Sequence, residues 1–109
     1  MPTFDRYLSP KQIFFIKSQD RDDAIRQLVL EANKAKPIDS LEEFYTAVIT
    51  REKVVTTGIG MGVAIPHAKM SHFNDFFVAV AILEKGVDWK SLDGHPVRLV
   101  FLIGGPDNK

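Results

Sequence analysis

Apolar positions along this chain follow a helical spacing in its first half and a strand-like texture after residue 53. Ile13-Phe14-Phe15-Ile16 is a short apolar run between polar neighbours and predicts a first strand. Asp20-Arg21-Asp22-Asp23 follows, with acids placed to cap a helix and complement its dipole. Ile25, Leu28, Val29 and Ala32 then share one face at helical spacing. Lys34 and Lys36 suit the end of that helix, and Pro37 stops it. Ser40 and Glu43 read as an S-x-x-E capping box for a second helix. Its apolar stripe is Leu41, Phe44, Tyr45, Val48 and Ile49, and it closes near Arg51-Glu52.

Val54-Val55-Thr56-Thr57 is β-branched throughout and reads as strand, whereas Gly58-Ile59-Gly60-Met61-Gly62 reads as loop. Val63-Ala64-Ile65 leads into Pro66-His67-Ala68. Phe76 to Leu83 is apolar on both faces, the pattern of a central strand covered on both sides. Lys85-Gly86 and Asp93-Gly94 are turn signals around Trp89 and Leu92, and Val97 to Ile103 predicts a last buried strand. The order of elements predicts one α/β domain over residues 1–109, with a helical pair packed on a mixed sheet of about five strands.

Charge narrows the function. Fourteen basic and fourteen acidic residues cancel, which argues against an electrostatic grip on nucleic acid or an anionic membrane. The apolar runs are too short to span a bilayer, so no direct membrane insertion is expected. The chain has no cysteine, which removes thiolate chemistry and fits a cytoplasmic protein.

One segment stands out as chemistry rather than scaffold. Three glycines alternate at Gly58, Gly60 and Gly62, and such a turn can aim successive N–H groups at an anion. His67 follows at the exit of a short strand, with Pro66 restricting the backbone just before it. An imidazole lone pair is a competent nucleophile at physiological pH. Arg51 offers a planar, permanent cation that matches phosphate oxygens. Phosphoryl transfer needs little beyond such positioning and charge stabilisation. The glycine run lacks the second half of a dinucleotide loop. His67 and His72 have a spacing that suits no helical zinc site, so neither a metal nor a cofactor is expected. Glu52 reads either as an orienting partner of Arg51 or His67 or as a surface carboxylate. His72 and His95 read as surface loop residues.

The string REKVVTTGIGMGVAIPHAK resembles the signature of type-2 enzyme IIA domains, the fructose, mannitol and nitrogen-regulatory branch of the bacterial phosphotransferase system. Leu92-Asp93-Gly94, Pro96 and the stretch from Val97 to Pro106 are similar to the family's next landmark. The resemblance implies that His67 accepts a phosphoryl group from an HPr-like carrier and passes it to an enzyme IIB domain for sugar uptake. Arg51, Thr57, Gly58, Gly60 and Gly62 would stabilise the group in transit. The nitrogen branch implies an alternative, a phosphorylation-dependent switch on a regulatory target protein. Family members continue into C-terminal helices beyond the point where this chain stops, so a truncated domain is expected.

Overall fold

The computed structural model describes residues 10–107. A single 3₁₀ turn, Pro10–Gln12, leads into β1 (Ile13–Ile16). Two helices follow, α1 (Arg21–Ala35) and α2 (Leu41–Val54). Then come β2 (Gly58–Gly60), β3 (Val63–Ala64), β4 (His67–Lys69), β5 (Phe77–Val87) and β6 (Val97–Gly105). The sheet thus has six strands rather than about five, because β3 and β4 are separate pieces of two and three residues.

Local chemistry explains the start of α1. Asp20 is its N-cap, and its carboxylate accepts the Asp23 N–H at 2.7 Å. Such caps contribute about 1 kcal/mol. The start of α2 differs from the expected capping box. Ser40 sits at φ 56°, in the left-handed region, and its side chain makes no capping bond. The helix also runs past Arg51-Glu52 to Val54, so the β-branched run of residues 54–57 closes a helix and forms a connection instead of a strand. Arg26 ties the two helices together with a two-pronged bond to Glu42, 2.7 Å on each prong, while its guanidinium lies 4.8 Å from the Tyr45 ring centre.

The strand order is β1-β5-β6-β3-β2, with β4 also pairing β6. β5 and β6 form the antiparallel centre, running longer than expected through Lys85-Gly86 and Gly104-Gly105. β1 lies parallel to β5, and β3 and β4 lie parallel to β6 at successive registers. The core joins Ile25, Leu28 and Val29 of α1 and Phe44 and Val48 of α2 with Ala79, Ala81 and Leu83 of β5 and Val100 and Leu102 of β6. Trp89 is fully buried in the same cluster. On the other face of the sheet Val78 and Val80 are buried, but Phe15 is 82% exposed and Ile82 also reaches solvent. β5 is therefore central, as its apolar pattern predicts, with incomplete cover on that second face.

Candidate functional site

β4 is a three-residue strand fixed along β6, with His67 opposite Ile103 and Lys69 opposite Gly105. The Ile103 N–H donates to the Pro66 carbonyl at 3.0 Å and the Met70 N–H to the Gly105 carbonyl at 2.8 Å, clamping both ends. His67, half-buried, shares an open depression of about 290 Å³ with Arg51 and Ala47 of α2 and with Ala68 and Lys69. The structure therefore brings together the two side chains that sequence chemistry favoured, one from each end of the segment between them.

The imidazole is oriented by its own chain. Its Nδ1 lies 2.7 Å from the Ile65 carbonyl oxygen. A carbonyl only accepts, so Nδ1 is the protonated nitrogen and Nε2 keeps its lone pair. Ile65 is itself held, because its N–H donates to the Thr57 carbonyl at 3.0 Å. Thr57 is held in turn by Glu52, whose two carboxylate oxygens accept its N–H at 2.6 Å and its hydroxyl at 2.5 Å. A continuous run of hydrogen bonds thus links a carboxylate in the last turn of α2 to the ring of His67.

Glu52 is 2% exposed, so it is neither a surface carboxylate nor a direct partner of Arg51 or His67. An acid in the last turn of a helix opposes the dipole, and that misplacement was the available signal that it has a buried task. Thr57 is equally buried, and the Trp89 indole N–H also approaches its hydroxyl, at 3.4 Å. Its hydroxyl serves the support chain, and Thr57 is not among the residues that line the depression.

The glycine run also departs from expectation. Gly58–Gly60 is strand, joined to β3 by a two-residue turn at Met61-Gly62, with φ of 57° and 80° as tight hairpins require. Gly58 is bare because a Cβ there would lie 2.2 Å from Ser91 Oγ. The Met61 N–H donates to Asp93 Oδ2 at 2.9 Å, so the chain supplies its own anion to this turn. The Gly62 carbonyl accepts from Arg98 and Leu99. None of Gly58, Gly60 and Gly62 lines the depression beside His67. Asp93 also accepts the His95 N–H, and these two donors, that of Met61 first, hold its carboxyl below its ordinary value.

Arg51 donates through Nη1 to the Val55 carbonyl at 2.7 Å, which pins the guanidinium of a residue that also lines the depression. Lys69 is a second cation there that sequence reasoning missed. Its signal was its place two residues beyond His67, which puts both on one side of a strand. His72 and His95 are exposed, as expected. Among the described residues no group of three or more His, Asp or Glu side chains is arranged to hold a metal.

Comparison with known proteins gives this geometry a family. Residues 6–109 match the family described as "Phosphoenolpyruvate-dependent sugar phosphotransferase system, EIIA 2". The chain is 36% identical over 92 residues to the PTS system fructose-specific EIIABC component of Bacillus subtilis, covering 84% of this chain and 14% of that protein. It is 36% identical over 110 residues to the nitrogen regulatory protein of Bradyrhizobium diazoefficiens, covering 98% of this chain and 69% of that protein. The crystal structure of nitrogen regulatory protein IIA-Ntr from Neisseria meningitidis aligns with a TM-score of 0.81 at 25% identity, covering 90% of this chain and 67% of that one. The chain thus spans a small part of the first relative and about two thirds of the other two. It belongs to the EIIA 2 family of the phosphoenolpyruvate-dependent sugar phosphotransferase system.

Proposed function

We propose that this chain is a phosphocarrier that takes a phosphoryl group from an HPr-like protein on Nε2 of His67 and passes it to an enzyme IIB domain. The observation that carries this reading is the 2.7 Å bond from Nδ1 to the Ile65 carbonyl, which leaves Nε2 as the nucleophile within a depression shared with Arg51. The Nε2 lone pair forms the new N–P bond while the donor's bond to phosphorus breaks. The donor's leaving group keeps that electron pair and takes up a proton. As the bond forms, the His67 ring gains positive charge, and the Ile65 carbonyl dipole facing Nδ1–H stabilises it. Arg51 and Lys69 lower the cost of bringing the phosphoryl oxygens to the ring. Onward transfer is the same step reversed with a different acceptor, so one site serves both partners.

The test is to incubate the protein with phosphoenolpyruvate, enzyme I and HPr and look for acid-labile phosphate. The label should sit on His67, and nitrogen-detected NMR should place it on Nε2. Label that persists in His67→Ala would overturn the assignment.

A second reading is favoured by one observation: likeness to the nitrogen regulatory protein runs over 98% of this chain, against 84% for the fructose-specific relative. In that reading phosphorylation of His67 alters docking on a regulatory target instead of feeding sugar uptake, because two added negative charges change the local electrostatics. Transfer of the label to a cognate IIB domain selects the first reading, and a phospho-dependent target without such transfer selects the second.

A further inference from the structure

The short connection Val55-Thr56-Thr57 joins the helix that carries Arg51 to the segment that supports His67. Val55 gives its carbonyl to Arg51 at 2.7 Å, and Thr57 gives its carbonyl to the Ile65 N–H at 3.0 Å, two residues before His67. Whatever fixes this connection therefore fixes the guanidinium and the imidazole relative to each other. Thr56 is seated on Trp89: its hydroxyl donates to the Trp89 carbonyl at 2.7 Å and accepts the Gly58 N–H at 3.0 Å. Thr57 is seated on Glu52, whose carboxylate takes both its N–H and its hydroxyl proton.

Glu52 is among the largest fully buried side chains, and no salt bridge among the described residues includes it. Burying a carboxylate costs free energy that an apolar side chain of similar size avoids. What the carboxylate adds is two strong acceptors at one fixed point. They anchor Thr57, which holds the Ile65 N–H, while the Ile103 N–H holds the Pro66 carbonyl at 3.0 Å. The Ile65 carbonyl, between those two anchors along the chain, faces Nδ1 of His67. If that carbonyl moves away, the ring is free to carry its proton on Nε2 instead, and the lone pair that forms the N–P bond is lost.

The structure assigns Glu52 as a positioning residue: through the Thr57 N–H it keeps the Ile65 carbonyl against Nδ1–H and so holds His67 in the tautomer that can accept a phosphoryl group. The consequence for transfer rests on the phosphocarrier reading. The tautomer itself is measured on unphosphorylated protein, so failure of the one is told apart from failure of the other.

The experiment records the ring nitrogens of His67 by long-range proton–nitrogen NMR at about pH 8, where an ordinary histidine, of pKa about 6.5, is neutral. The unaltered chain should show a single tautomer with its proton on Nδ1, a readout that depends on no variant folding. Glu52→Met, which fills the space without an acceptor, should shift both nitrogens towards a mixture of tautomers. It should also lower the limiting transfer rate about ten- to a hundredfold with the KM for phospho-HPr little changed, the scale of loss that a small misplacement at the reacting atom brings. Glu52→Gln keeps one acceptor oxygen for the Thr57 N–H and should restore the single tautomer and most of the rate. Thr57→Val also keeps that backbone bond, so it should lose stability with the ring signals unmoved, which separates positioning from general loosening. Mixed tautomers in the unaltered chain, unchanged ring shifts in Glu52→Met, or a Thr57→Val ring displaced as far as that of Glu52→Met would each overturn the assignment.

Discussion

Two parts of this molecule carry the sequence chemistry of an anion site, and they differ in what the fold leaves free. At the hairpin of residues 58–62 the glycine spacing is that expected of an anion-binding turn, yet the segment folds as a tight hairpin and the Met61 N–H is already given to Asp93. At β4 the His67 ring uses Nδ1 to fix itself on Ile65 and keeps Nε2, while Arg51 uses one guanidinium N–H on Val55. The first region is complete within itself. The second has capacity left over, which is what the proposed phosphoryl transfer requires.

Substitutions can break or sharpen that contrast. The largest effect belongs to His67→Ala, which should abolish phosphoryl uptake in the enzyme I and HPr assay while leaving the thermal transition near its original temperature. Next comes Arg51→Ala. Loss of a donor aimed at developing charge costs about 10²-fold in related situations, and a fall of that order in the transfer rate is expected, with Arg51→Lys recovering part of it. Unchanged rates in Arg51→Ala would reduce this residue to a helix cap.

Thr57→Val acts on stability instead. It keeps the backbone bonds to Glu52 and Ile65 but leaves one buried Glu52 oxygen unsatisfied, at a cost of about 1–3 kcal/mol in chemical denaturation. Transfer per folded molecule should hold. A large loss of transfer with stability intact would return Thr57 to the phosphate site.

The smallest effect is expected of Asp93→Asn, a modest fall in melting temperature with transfer unaltered. The sign of its pH dependence follows from the lowered carboxyl pKa. Asp93 stabilises the fold above the ordinary aspartate pKa of about 3.9, and that contribution is lost as pH falls through its lower folded value. The difference in melting temperature between Asp93→Asn and the unaltered chain should therefore be present at neutral pH and vanish in strong acid. If Asp93→Asn instead slowed transfer as much as Arg51→Ala, the two regions would be one site.

His67 and Arg51 were legible because their value is intrinsic to side-chain type and sequence context. Glu52 was not, since its carboxylate meets Thr57 only after the chain leaves α2 and doubles back, a tertiary contact that helical periodicity does not register. The glycines were legible as unusual and misread as to cause. Close approach of Ser91 to Gly58 is invisible until residue 91 is placed beside it. Val54 to Thr57 shows the same limit, because β-branched residues suit any extended backbone and a strand additionally needs a partner. Ser40 carries the right side chain for a cap, but its left-handed backbone turns the oxygen away from the task. The long strands and the amphipathic faces of both helices were read well, since burial dictates them directly.

The placement of β4 sets an order of events in biosynthesis. The strand that carries His67 takes its sheet partner from β6, which the ribosome makes some thirty residues later, roughly two to six seconds at ordinary elongation rates. β1 waits still longer in relative terms, since Ile13 pairs with Val80. Until residues 97–105 emerge and dock, Nε2 has no fixed address, so a nascent chain should be unable to accept a phosphoryl group however long its N-terminal half has been exposed. Maturation of the site and completion of the sheet are then a single event.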